Sequence, residues 1–208
     1  MERTYLGCYK IHDKELKIFL ILNSVKSKHL VLKKGLLFIN LNKDKYKGSE
    51  NIIKKFIFRF LNELDLKRIK KDYLERDIIF GKPVNKNFSE KQKMKMLVNV
   101  ANSFVSEFYK RYFDGIIDKK IELKIKKYRN YLRLAMKKGN KIFLNYICYS
   151  FPKRLIRYLI FHEMLHTLSK NHDMFFETIE RTIFPNVEEL KKEIIKFSIL
   201  ASLNDKII

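Results

Sequence analysis

The sequence predicts an α+β fold, and three observations carry that reading. Short β-branched or apolar runs crowd the first forty residues, amphipathic stripes at helical spacing follow, and an alternating strand-like run precedes an apolar helix near residue 160. Lys17 to Leu22, His29 to Leu32 and Leu36 to Leu41 are apolar runs separated by Ser, Lys and Gly, the pattern of a small antiparallel meander.

Asn42 to Gly48 is a polar turn, and Ser49 is placed to cap the helix after it. Ile52, Ile53, Phe56, Ile57, Phe60, Leu61 and Leu64 form one stripe, predicting a helix that covers the N-terminal strands. Leu66 to Arg76 is a charged connector. A boundary within it gives an accessory region of strands and helix over residues 1–72, and a second domain over residues 73–208.

The second domain opens on a capping box, Ser89 with Gln92, ahead of a stripe running from Leu97 to Tyr109. Ile121, Leu123 and Ile125 alternate with lysines and Glu122, the two-residue period of a strand with one wet face. Leu132 to Met136 and Lys141 to Tyr146 flank Lys137-Lys138-Gly139-Asn140, a hairpin turn. Ser150 and Pro152 start the next helix, whose Tyr158, Leu159, Ile160 and Phe161 are apolar on all sides, so it should run through the core. Asp173 is placed to cap the helix that follows or to support a histidine, and Pro185 ends that helix.

Composition narrows the function. No apolar run approaches the roughly 20 residues of a membrane span, and Met-Glu-Arg-Thr-Tyr lacks the form of a signal peptide, so the chain reads as soluble and cytoplasmic with no membrane partner. Cys8 and Cys148 stand far apart and read as reduced thiols. The six glycines are isolated and no Gly-x-Ser-x-Gly occurs, which excludes a phosphate-cradling loop and a serine-hydrolase elbow. A net charge of +22 predicts attraction to polyanions. From Lys119 to Lys141 ten of 23 residues are Lys or Arg, interleaved with Tyr128 and Tyr131, which makes this stretch the first candidate for contact with nucleic acid.

The chemistry concentrates in Tyr158 to Phe176. His162, Glu163 and His166 stand in the spacing H-E-x-x-H, and three of the five histidines fall within eleven residues. Residues four apart share a helix face, so His162 and His166 can present ring nitrogens to one ion, with Glu163 beside them. A catalytic zinc site needs a third protein ligand, and the five residues after His166 let the chain turn back with His172. The ion would lower the pKa of a bound water, with Glu163 as the general base that takes its proton. His12 and His29 stand alone and read as ordinary histidines.

His162-Glu163-Met164-Leu165-His166, five further residues, Asn171-His172 and then Phe176 resemble the YgjP-like branch of the SprT-like zinc metallopeptidases. Gly139 to Asn145, the Pro-led helix and Phe184-Pro185 are similar to that family's strand, helix and exit. The resemblance implies a small zincin-like catalytic domain, an antiparallel sheet plus active-site helix, preceded by an N-terminal β-meander and helix. It further implies Zn2+ held by His162, His166 and His172, Glu163 as catalytic base, and a protein or peptide substrate. Glu177 or Glu180, on the next helix, is the alternative third ligand, as in gluzincins. Metzincins carry Gly where Ser169 stands and a later methionine turn, and no Met follows Met174. Leu132 to Met136 replaces a Trp-Gly-Ser-Cys segment usual in the family. Lys141 to Tyr146 is the strand expected to line the cleft and pair with substrate. The alternative function is a nucleic-acid-associated SprT-like module acting on DNA-bound proteins, or an inactive homologue with a structural metal site.

Overall fold

The fold is described from a computed structural model that covers residues 2–24, 28–117 and 120–204. By internal contacts the chain divides into Met1–Glu75 with Arg129–Leu132 and Ile195–Ile208, and Arg76–Tyr128 with Arg133–Ile194.

In the first unit, β1 (Glu2–Ile11), β2 (Lys14–Asn23), β3 (His29–Lys33) and β4 (Leu36–Asn42) form one sheet in the order β1-β2-β4-β3. β2 carries strict alternation, with Leu16, Ile18, Leu20 and Leu22 buried on one face. The predicted antiparallel meander is corrected here: β4 inserts between β2 and β3 and pairs with β2 in parallel, Phe19 opposite Phe38. The reason is burial. β4 is flanked on both sides with Leu37 and Ile39 in the core, while β3 keeps the edge with Leu30 exposed. β1 carries a bulge between Tyr5 and Gly7, where Leu6 is the extra residue. The bulge reverses the phase of the strand, so Tyr9 enters the core while Tyr5, four residues earlier, faces out.

Helices α1 (Lys43–Tyr46), α2 (Glu50–Glu63) and α3 (Asp72–Glu75) complete the unit. α2 begins where the stripe predicts, yet uses only part of it. Leu61 is buried and Tyr9 donates to Asn62 Oδ1 at 2.9 Å, while Ile52 and Phe56 stay exposed. Leu32 N–H donates to Asn130 Oδ1 at 3.0 Å and Tyr131 N–H to the Leu32 carbonyl at 2.9 Å, which is how residues 129–132 join this unit.

The second unit holds the hairpin β5 (Asp77–Ile79) and β6 (Lys82–Val84), then α4 (Glu90–Phe108). The predicted capping box is present: Gln92 N–H donates to Ser89 Oγ, and Ser89 N–H to the Gln92 side chain at 2.8 Å. β7 (Glu122–Lys126), β8 (Ala135–Lys138) and β9 (Lys141–Asn145) form a sheet in the order β7-β9-β8, with β7/β9 parallel and β8/β9 antiparallel. The α+β class holds, and this sheet is mixed rather than all antiparallel. α5 (Lys153–Leu165) and α6 (Met174–Ile183) follow, and α7 (Val187–Leu203) begins in this unit, its residues from Ile195 on counting with the first.

α5 is the core helix, with Leu155, Ile156, Ile160, Met164 and Leu165 inaccessible. Phe161 packs on Phe108 at 5.1 Å between ring centroids and on Phe184 at 5.4 Å, and each such ring withdrawn from water stabilises the fold by about 1.5–3 kcal/mol. The start of α5 is fixed by the β5–β6 turn. Gly81, at φ +78°, lies so close to Pro152 that an added Cβ would meet its ring at 2.6 Å, so both space and backbone require glycine. Among the described residues, no helix is long and apolar enough to cross a membrane.

Candidate metal centre

α5 places His162 and His166 one turn apart, and the helix ends at His166, whose N–H closes on the His162 carbonyl. Residues 167–172 then turn back. The three imidazoles of His162, His166 and His172 lie with ring centroids 4.9–5.0 Å apart. Their ligand atoms all fall within 4.8 Å of one another, and His162 Nε2 stands 3.0 Å from His172 Nε2. Among the described residues this is the group of His, Cys, Asp or Glu able to hold a metal ion, and neither Glu177 nor Glu180 belongs to it.

Two of the three rings, His162 and His166, are tethered from behind. His162 Nδ1 lies 2.6 Å from Glu180 Oε1, and since an ionised carboxylate only accepts, Nδ1 is the donor. Glu180 is buried, with Tyr158 Oη donating to the same oxygen at 3.0 Å and Lys191 Nζ 3.6 Å from the other. Burial pushes its carboxyl up, but the hydrogen bonds from His162 and Tyr158 and the Lys191 charge outweigh that and hold it below the usual range. His166 Nδ1 donates to the Ser169 carbonyl at 3.0 Å. With both Nδ1 atoms spent as donors, each Nε2 is left with a lone pair.

Phe176 closes the base. Its ring is inaccessible and its centroid lies 4.8–5.0 Å from all three imidazoles. The turn behind it is held by Asp173, which caps α6: Oδ1 accepts from Phe176 N–H at 2.9 Å and Oδ2 lies 2.8 Å from the Ser169 hydroxyl. These contacts hold the Asp173 carboxyl below its usual range, the Phe176 N–H most of all. Of the two roles open to Asp173 in the sequence, the cap is the one it fills.

Glu163 is buried beside the rings, with the backbone of Lys137 close to its carboxylate. Burial raises its pKa, opposed in part by His162, His166 and Lys137. His172 is pushed down, first by burial and then by the two neighbouring histidines. A cleft of about 630 Å³ opens over the group, lined by Ala135, Met136, Lys137 and Gly139 on one side and by His162, Glu163, His166, Lys170 and His172 on the other.

The strand that lines this cleft is β8, which corrects the expectation that Lys141 to Tyr146 would. β9 is paired on both sides and cannot offer an edge, whereas β8 is bonded on one side only. In the basic stretch, Lys119 lies outside the described residues. Lys124 and Lys141 both stand near Glu122, Lys127 pairs with Glu90 at 2.6 Å, and Arg133 lies over Tyr128. Glu180 was legible only as a competing ligand; its role as the tether of His162 carries no sequence signal beyond its place on the next helix. Tyr158, four residues before His162 on one helix face, was readable as a neighbour but not as a second donor to that carboxylate.

Three converging imidazoles with two oriented donors, and a buried carboxylate at the same cleft, form the kind of site found in metal-dependent hydrolases. The YgjP-like, metallopeptidase domain family matches residues 20–196, so the chain belongs to that family and is a metallopeptidase by membership, which implies a metal ion. No curated protein matches the chain. Among solved structures, the metallopeptidase zymogen jannalysin of Methanocaldococcus jannaschii is similar at 22% identity, covering 55% of this chain and 95% of that one, with a TM-score of 0.39.

Proposed function

We propose that this protein is a zinc-dependent peptidase in which His162, His166 and His172 hold the ion and Glu163 is the general base. The observation that carries the reading is the tethering of His162 and His166 through Nδ1, which aims both free Nε2 lone pairs at the region His172 also reaches. The donor set suits zinc. Two nitrogens at roughly 2.0–2.1 Å from a tetrahedral ion lie about 3.3 Å apart, close to the 3.0 Å between His162 and His172 Nε2.

When bound, zinc supplies Lewis acidity toward water and the scissile carbonyl. The chain's own residues do the rest. Glu163, its basicity raised by burial, accepts the proton of the attacking water and passes it to the leaving amine. The Lys137 backbone borders that carboxylate on the cleft wall. The free edge of β8 offers main-chain groups to an extended peptide, which would add to the sheet as a further strand.

Metal analysis of the purified protein beside its Glu163→Gln variant tests the proposal. One zinc per chain in both, with cleavage of an unfolded protein substrate lost only in the variant, is the expected result. A native protein that binds no metal overturns it. Stoichiometric zinc with no cleavage by either form would assign the centre a structural role instead.

A further inference from the structure

We propose that the outer face of the β1-β2-β4-β3 sheet is a binding platform for single-stranded nucleic acid. The inference is independent of the metal centre and of the basic stretch after residue 119. One face of this sheet is the core. On a half-buried sheet the other face should be polar throughout, and here a row of aromatic rings crosses it.

Tyr5, Phe19, Phe38 and Val31 stand directly opposite one another on four successive strands and form one row across the sheet. The Tyr5 and Phe19 rings lie 5.3 Å apart, and Phe19 and Phe38 lie 5.5 Å apart with their planes only 21° from parallel. Arg3, on the same face, lays its guanidinium 4.1 Å from the Phe19 ring and 5.2 Å from that of Phe38. Tyr5 is 54% exposed, and Phe19 and Phe38 keep part of their surface open.

The bulge in β1 has its consequence here. It sends Tyr9 to the core and leaves Tyr5 outside in line with Phe19, so the row is made by a local departure from regular pairing. A surface row of aromatic rings is costly to keep solvated unless it is used.

Charge selects the occupant. Lys10, Lys17 and Lys33 are exposed on this face together with Arg3, against one acid among the described residues, Glu15, which sits 3.9 Å from Lys10. Rings that offer stacking surfaces, bordered by cations, match unpaired bases on a phosphate backbone. A duplex keeps its base faces covered and has no use for the rings. A second copy docked face to face would bring Arg3, Lys17 and Lys33 against their own equivalents, which charge repulsion opposes. Three rings suit two or three consecutive bases, as on other aromatic sheet surfaces that bind single strands.

Fluorescence anisotropy of labelled oligothymidylate, oligouridylate and a duplex of equal charge, titrated with the full chain at low salt, tests the proposal. Either single strand should bind more tightly than the duplex, and the two arms show which backbone is preferred. Tyr5→Ala, which truncates an exposed side chain and spares the core, should weaken binding about tenfold. Tyr5→Trp should retain binding, and because the native chain has no tryptophan, quenching of that one fluorophore reports base stacking directly. Lys17→Glu combined with Lys33→Glu should remove binding while circular dichroism shows the fold retained.

No single-strand binding by the native chain overturns the proposal. So does duplex binding as tight as single-strand binding, or Tyr5→Ala binding like the native chain. Concentration-dependent dimers that Tyr5→Ala dissolves would give the face to a second copy and overturn it as well.

Discussion

Replacing Glu180 with Gln tests how the centre is held without touching its three histidines. The carboxylate is buried and receives His162 Nδ1 at 2.6 Å and Tyr158 Oη at 3.0 Å on one oxygen, with Lys191 near the other. Gln keeps the volume and can keep one accepting oxygen at His162, so the fold should survive. What it loses is the negative charge that fixes the His162 tautomer and strengthens Nε2 as a donor to metal. Loss of such an outer partner weakens metal affinity about 10- to 100-fold, or about 1.4–2.7 kcal/mol. Competition with a chromophoric zinc chelator at neutral pH measures the change. Glu177→Gln, on the exposed side of the same helix, is the control and should leave affinity unchanged. An affinity for Glu180→Gln within twofold of native would refute the tethering role, and complete loss of stoichiometric metal would make Glu180 a ligand.

Three further outcomes follow from the same geometry. Phe176→Ala removes an inaccessible ring that touches all three imidazoles and should cost about 3–5 kcal/mol in a denaturant melt, with Phe176→Leu recovering most of it. Lys93 is a buried cation 2.9 Å from Asp77 and 5.0 Å from the Tyr149 ring. Lys93→Met should therefore cost about 3 kcal/mol by leaving Asp77 unpaired, and adding Asp77→Leu should restore much of that. Asp173 has a lowered pKa, so its charged form stabilises the fold fully above the unfolded value of about 3.9, and that contribution is lost as pH falls through the folded value. Asp173→Asn retains a capping oxygen but does not titrate, so the stability difference between native and variant should shrink below about pH 4; a difference independent of pH would contradict the capping assignment.

What the sequence disclosed and what it withheld divide along physical range. The spacing of His162, Glu163 and His166 is read correctly as one surface because a helix fixes i to i+4 geometry locally, whatever packs around it. The capping box at Ser89 is equally local, and so is the hairpin turn at Gly139. The tether from Glu180 spans 18 residues and depends on how α6 packs against α5, and no periodicity encodes that. Strand order is non-local in the same way. Apolar runs mark β2 and β4 as strands, alternation marks β7 and the hairpin turn marks β9, but none of these patterns says which neighbour a strand pairs with, so both sheets were expected to be antiparallel and both contain a parallel pair. β1 carries no regular two-residue period in its sequence, because Gly7 and the bulge interrupt it. On α2 the apolar stripe is real, yet Ile52 and Phe56 remain in solvent, since a stripe states what a helix can bury and not what it meets.

The turn at Gly139 explains why the edge of β8 faces the candidate base. Lys138 pairs with Lys141, leaving Gly139 and Asn140 as a two-residue loop with Gly139 at φ +59°, the turn that holds a tight hairpin in one register. In such a hairpin the closing pair exchanges both hydrogen bonds, the next pair inward exchanges none, and the pattern then alternates. Lys138 and Met136 therefore bond to β9, while Lys137 and Ala135 direct their main-chain groups outward. Asn145 N–H, which donates to the Leu134 carbonyl at 2.6 Å, follows the same alternation. The Lys137 backbone lies close to the Glu163 carboxylate for this reason, and Ala135 lines the same cleft. A slip of one residue would turn Met136 and Lys138 outward instead and move the Lys137 backbone away from Glu163. The register of a surface hairpin, and with it the backbone that faces the proposed general base, is thus set by one two-residue turn.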